Sequence, residues 1–140
     1  MRHMGLDCTL CHVSESPDQK VIFGDDTVLF LQNKKEQGAL LGSGVIIPVR
    51  HAETVFDLTP EEVCATFALL QLVKAWMDEH YHPDGYPDGY NVGWNCGAVG
   101  GQLAMHAHLH VIPRFRQEPY AGHGIRYWLK QPANRWWSGA

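Results

Sequence analysis

Met105-His106-Ala107-His108-Leu109-His110-Val111-Ile112-Pro113 is the stretch from which the rest of the chain can be read. Histidine alternates with apolar residues through it. In a β-strand successive side chains point to opposite faces, so strict alternation predicts a strand with His106, His108 and His110 on one face. Ala107, Leu109 and Val111 then share the other face and anchor the strand in a core. Neighbouring histidines fall about 6.6 Å apart at Cα, two strand rises. A row of polar rings on a buried strand needs partners. Two chemistries fit. A His-x-His pair can give two ligands to zinc, although all three rings on one ion is disfavoured by the roughly 13 Å between the outer Cα atoms. Alternatively, one imidazole acts as a nucleophile while its neighbours orient it or handle protons.

The preceding residues narrow the choice. Gly93-Trp94-Asn95-Cys96-Gly97-Ala98-Val99-Gly100-Gly101-Gln102 carries four glycines. Such a loop lets backbone N–H groups approach an anion closely, and beside a row of imidazoles it suits a phosphate under attack. Glycines alone also serve ordinary hairpins. The combination Gly-Gly-Gln-x-x-x-His-x-His-x-His is the specific signal.

The 140 residues predict one domain with a real core. A net charge of −4 argues against broad nucleic-acid binding, which needs a basic face. No apolar run reaches the length of a membrane span. Met1-Arg2-His3-Met4-Gly5 is not followed by an apolar segment, so no signal peptide is expected. Cys8, Cys11, Cys64 and Cys96 are then expected as reduced thiols in a cytoplasmic protein. The Cys8-x-x-Cys11 spacing suits two thiolates on one zinc, but two further ligands are required, and two unligated thiols remain the alternative.

Along the chain, Val21–Phe23 and Thr27–Leu31 read as a hairpin about the turn Gly24-Asp25-Asp26. Asn33–Gly38 is a polar connection, and Gly44–Pro48 is a third strand. Thr59, Pro60 and Glu62 form an N-cap, a first helical position and a capping box for a helix running to about Glu79. Its apolar residues, among them Val63, Phe67, Leu70, Leu72 and Trp76, cover more of the wheel than one sheet face needs. The excess predicts a second contact, with another subunit as candidate. His80 and His82 in the segment after the helix are expected to be exposed, and the doublet Pro83-Asp84-Gly85-Tyr86, Pro87-Asp88-Gly89-Tyr90 is turn chemistry. Asn91–Trp94 opens a fourth strand and Ala104–Arg114 forms the fifth. The order predicts an α+β fold: a mainly antiparallel five-stranded sheet, one long helix and short helical segments.

Asn95–Arg114 resembles the signature of the histidine triad (HIT) family of nucleotide hydrolases and transferases, with similarity extending from Cys8 to about Arg116. The resemblance implies a HIT domain over residues 1–116. It implies a homodimer that binds a small-molecule purine nucleotide, with neither nucleic acid nor membrane as partner. It implies cleavage at the α-phosphate of dinucleoside polyphosphates or nucleoside phosphoramidates through a nucleotidyl-histidine intermediate. His108 matches the nucleophile and His110 its supporting, phosphate-binding neighbour. Asn95 and Gln102 match phosphate or leaving-group contacts, Asn33 the ribose contact, and Leu31 a neighbour of the base. Cys8, Cys11, His51 and His106 match the Cys₂His₂ structural zinc site of the zinc-bearing members. No metal is implied for the chemistry, apart from magnesium accompanying a polyphosphate.

Two positions depart from the pattern. Leu103 stands where the family usually has a hydroxyl residue, which puts proton delivery to the leaving group in doubt, and Gly42-Ser43 replaces a Gly-His step. A nucleotide-binding module with little catalysis, or a nucleotidyl transferase, are the competing readings. Transferases resembling galactose-1-phosphate uridylyltransferase typically carry Gln in place of the last histidine, so His110 favours the hydrolase branch. The tail, Gln117–Ala140, carries Tyr120, Tyr127, Trp128, Trp136 and Trp137. It is expected to pack on the domain or a partner subunit, with a place near the nucleotide base as the sharper alternative. Its last residues are expected to be disordered.

Overall fold

The computed structural model describes residues 8–80 and 86–138. The readings of the first residues as lacking a signal, of His82, of the first Pro-Asp-Gly and of the chain's final residues fall outside or across those limits. Five strands form one antiparallel sheet: β1 (Gln19–Gly24), β2 (Val28–Asn33), β3 (Gly44–Pro48), β4 (Gly89–Trp94) and β5 (Leu109–Arg114), in spatial order β1-β2-β3-β5-β4. The long helix α1 spans Pro60–His80, and a short helix α2 spans Ile125–Leu129. The expected α+β architecture is the one observed.

The predicted hairpin turn is held by Asp25, whose Oδ1 accepts from the N–H groups of Thr27 and Val28 at 2.8 and 3.0 Å. The helix start is the predicted capping box. The Glu62 N–H donates to Thr59 Oγ1 at 3.1 Å, and the Thr59 N–H donates to Glu62 Oε1 at 2.8 Å. Glu62 also receives Arg50 Nε and Nη2 at 3.0 and 2.7 Å, tying the helix start to the chain just after β3. The Arg50 guanidinium is the main reason that the carboxyl lies below its ordinary range.

Period-two alternation gives the sheet two different faces. Val28 and Phe30 of β2, Ile46 of β3, and Leu109 and Val111 of β5 meet Leu69, Val73 and Met77 of α1 in the main core. On the opposite face Leu31 and Ile47 pack with Leu10 from the N-terminal segment. There Leu31 pairs with Val45, and Val45 with His110, so one row crosses three strands. This second face carries the candidate site.

Three expectations need correction or completion. The fifth strand begins at Leu109, not Ala104, and His106 lies in a bend before it. The three imidazoles therefore do not form one row, because the Ala107 N–H is held by the Ala52 carbonyl at 2.7 Å instead of a neighbouring strand. The 34–43 connection is not simply solvated. Gln37 closes it by donating to the carbonyls of Asn33 and Ser43 while accepting the Gly42 N–H at 2.9 Å. Part of the apolar excess of α1 is left outward, with Val63, Phe67 and Leu72 exposed. His80 is exposed, as expected.

The tail is tied to the sheet by Arg114. Its guanidinium reaches Glu118, the carbonyls of Tyr120 and His123, and the Asn91 side chain. Beyond that anchor the rings stack largely on one another, His123 on Tyr127 at 3.6 Å between centroids, while Tyr120, Trp128, Trp136 and Trp137 stay exposed. No helix among the described residues is long and apolar enough to cross a membrane.

Candidate active site and metal centre

His106 and His108 are two residues apart in sequence but serve different clusters. The His106 ring is fully buried, and its Nε2 lies 2.8 Å from the Pro48 carbonyl. A carbonyl only accepts, so the proton sits on Nε2 and the Nδ1 lone pair is left to face the N-terminal segment. There Nδ1 lies 3.4 Å from Cys8 Sγ and 3.5 Å from Cys11 Sγ, and Cys11 Sγ lies 3.2 Å from His51 Nδ1. The four ligand atoms all fall within 4.8 Å of one another. A tetrahedral zinc with bonds of 2.0–2.3 Å needs ligand-to-ligand edges of about 3.3–3.8 Å. The donor set, the spacing of the contacting atoms and the Pro48 carbonyl behind His106 fit such an ion. Burial holds His106 in the neutral form that a ligand requires. Burial and then the neighbouring Cys8 push the Cys11 thiol up to about 11, so the pocket of sulfur and nitrogen needs a cation to hold thiolates.

His108 and His110 open onto a cavity of about 660 Å³ on the second face of the sheet. His108 Nδ1 lies 2.8 Å from the His106 carbonyl. That contact again fixes the tautomer: the ring proton sits on Nδ1, and the lone pair of the neutral ring is on Nε2. The His110 ring stands 4.9 Å from it, edge to face, and His110 Nε2 is buried with no hydrogen-bond partner among the described residues. Burial first, and the nearby His108 second, lower the His110 pKa, against an opposing pull from Glu36.

Of the other predicted substrate residues, Asn33, Leu31, Asn95 and Leu103 line this cavity. Leu103 is almost fully exposed on its rim. Asn95 makes only a long contact, 3.4 Å from Nδ2 to the Gly101 carbonyl. Gln102 stands elsewhere: it is buried, and its whole carboxamide is engaged by backbone. Oε1 accepts the Gly97 N–H at 2.8 Å, while Nε2 donates to the carbonyls of Glu53 and Ala104 at 2.6 and 2.9 Å. It braces the loop, where a ligand contact was expected. The loop's own N–H groups are likewise less available than the glycines implied. Those of Gly100, Gly101 and Gln102 close internal turns onto Gly97, Ala98 and Gly97. Gly97 and Gly101 adopt positive φ, 78° and 95°, which explains glycine there without any anion.

Sequence reasoning overlooked the contribution of the segment that leads into the first strand. Ser16, Asp18 and Gln19 line the cavity, as do Thr9 and Leu10 between the two thiols. Counting back from the hairpin turn would have put Lys20 opposite Asn33, because the register shifts between Val21 and Phe23; that irregularity brings Gln19 to the pairing position.

A model of the HIT domain matches residues 13–117. The chain belongs to the HIT family. The match starts after Cys8 and Cys11, and His51 and His106 lie within it. Solved structures of HIT proteins share the fold. One from Bacillus anthracis superposes with a TM-score of 0.70 at 22% identity, over 89% of this chain and 91% of its own. A zinc-bound histidine triad protein from Mycobacterium smegmatis gives 0.67 at 25% identity, over 82% and 80%. A HIT family hydrolase from Clostridium thermocellum gives 0.64 at 20%, over 81% and 96%.

Proposed function

We propose that the protein is a nucleotide phosphohydrolase that releases a nucleoside monophosphate through a covalent intermediate on His108. The observation that carries this reading is the pair of hydrogen-bond states at the cavity. His108 donates from Nδ1 to the His106 carbonyl, so its Nε2 lone pair can attack. Beside it a buried, unpartnered His110 Nε2 awaits a ligand group.

Nε2 attacks the α-phosphorus of a dinucleoside polyphosphate or a nucleoside phosphoramidate. A P–N bond forms, and the bond to the leaving group breaks with its electron pair going to that group; a polyphosphate departs as the anion, whereas a phosphoramidate nitrogen takes a proton from solvent and departs as the amine. Water then attacks phosphorus, the P–N bond breaks, and the monophosphate leaves with His108 restored. His110, Asn95 and the backbone at Leu103 meet the phosphoryl oxygens. Leu31 lies beside a purine base and Asn33 beside the ribose. Leu103 brings no hydroxyl to protonate the departing group, which favours leaving groups stable as anions, such as a polyphosphate with magnesium.

Cys8, Cys11, His51 and His106 hold a structural zinc, a role supported by their geometry and by the zinc-bound relative. Thiolates kept for a metal suit a reducing compartment, the cytoplasm. The chain works as a homodimer, with its outward apolar residues covered by a second copy.

The test is release of nucleoside monophosphate from diadenosine tetraphosphate and from an adenosine phosphoramidate, by the wild type and by His108→Ala. Release from either substrate, reduced more than roughly 1,000-fold in the variant, is the expected result. Tight monophosphate binding with no release by folded wild type would favour the binding module, and Leu103 is the feature that makes that reading specific.

A further inference from the structure

We infer that Gln19 is a specificity residue that reads the ribose together with Asn33. The inference rests on the proposed reading of the cavity as a nucleotide site. Gln19 opens β1 and pairs with Asn33 across the antiparallel β1–β2 ladder. Directly opposite residues share a face, with Cβ atoms about 4.5–5.5 Å apart. Both side chains line the cavity.

Their hydrogen-bonding states are complementary. Asn33 Oδ1 accepts the Lys35 N–H at 2.9 Å. That donor must face an oxygen, so the orientation of the Asn33 carboxamide is fixed and its Nδ2 remains to donate. Gln19 Oε1 is buried and has no partner among the described residues. Leaving an acceptor in that state is costly unless a donor arrives. The neighbouring carboxylate does not fill this need, since it carries no proton to donate and Asp18 pairs with Lys35 Nζ at 3.3 Å.

One amide thus offers N–H and the other offers an oxygen, on one face and within one side-chain spacing. A vicinal diol suits this pair, because each hydroxyl both donates and accepts. One ribose oxygen takes the Asn33 N–H while a ribose O–H donates to Gln19 Oε1. Asn33 alone, with its oxygen engaged in the turn, supplies only the donor half. A ligand without the hydroxyls leaves Gln19 as unsatisfied as it is in the free protein, and this is a basis for preferring ribonucleotides over their deoxy analogues.

Calorimetric titration of the metal-replete protein with adenosine monophosphate and its 2′,3′-dideoxy analogue tests this. Wild type is expected to prefer the ribonucleotide. Gln19→Leu is expected to bind the ribonucleotide roughly 10-fold more weakly and the dideoxy analogue as wild type does. Gln19→Glu keeps an acceptor and is expected to retain the preference. Equal weakening of both ligands, or an unchanged preference in Gln19→Leu of wild-type thermal stability, would overturn the inference while leaving the nucleotide site standing. Absence of binding of either ligand to wild type would overturn the nucleotide reading itself, and this inference with it.

Discussion

At the scale of single residues the structure separates side chains that face the cavity from side chains that are fully engaged by backbone. His108 and Gln102 are six positions apart and both were singled out by the same motif. One faces a cavity with a free lone pair; the other has oxygen and nitrogen both engaged by backbone. Residue type and spacing cannot distinguish these, because the partners of Gln102 include Glu53, a residue distant in sequence. Replacing Gln102 with Ala is expected to leave the Gly97 N–H and the Glu53 carbonyl without their partner and to lower stability by about 1–3 kcal/mol. Thermal or denaturant unfolding measures that, and ligand affinity should fall with it because the loop carries Asn95 and Leu103 into the cavity. The placement of the histidines was legible in part, and for a local reason. Alternation put His108 and His110 on one side, and it failed only for His106, whose backbone leaves the strand and whose ring turns to the thiols.

Elements show how the metal cluster and the cavity are joined. Leu10 lies between Cys8 and Cys11 and packs on Leu31 and Ile47, so the segment that carries the thiols also covers the site face of the sheet. Chelating the metal is expected to lower Tm by roughly 5–15 °C, because a closed structural site contributes its binding energy to folding. Differential scanning fluorimetry with and without chelator, alongside metal analysis showing one zinc per chain, checks this. An unchanged Tm on full metal removal would contradict a structural role.

The start of α1 supplies a second prediction at this scale. Glu62 is held below its ordinary range chiefly by Arg50, so the folded state binds its proton less readily than the unfolded chain does. Its contribution is therefore complete above the unfolded pKa near 4.5 and disappears as pH falls through the lower folded value. The Tm difference between wild type and Glu62→Gln should be largest near pH 7 and shrink below about pH 4.5. The capping box was readable from Thr59, Pro60 and Glu62 because all its parts are local. Arg50 was not, since nothing in the sequence says that a residue after β3 returns to the helix start.

For the whole molecule, the order of elements follows from local signals, and the sheet order β1-β2-β3-β5-β4 does not. Placing β5 beside β3 brings His110 next to Val45 and puts it on the same sheet face as Leu31, two strands away, where residues of both strands line the cavity. The helix carried more apolar surface than one sheet face could cover, and the structure leaves Val63, Phe67 and Leu72 outward. Val63 and Phe67 lie one helical turn apart and form a continuous stripe. Sedimentation velocity is expected to show a dimer that Phe67→Asp converts to monomer, since a buried unpaired charge at an interface costs several kcal/mol. A monomeric wild type at micromolar concentration would remove the second copy from the account. The tail was legible only as aromatic. Its anchor is Arg114, which lies inside the domain, and the rings beyond that anchor find their nearest partners in one another.

The claim on which the rest depends is a covalent bond at His108. Single-turnover reaction with diadenosine tetraphosphate and magnesium, quenched at alkaline pH and followed by mass mapping of the peptide that carries residues 106–110, tests it most directly. The account predicts an adenylyl group on that peptide, located at His108, that forms and decays in step with monophosphate release and is missing in His108→Ala. Steady release of monophosphate by His108→Ala at a rate close to wild type, with no adduct at any time point in either protein, would contradict it.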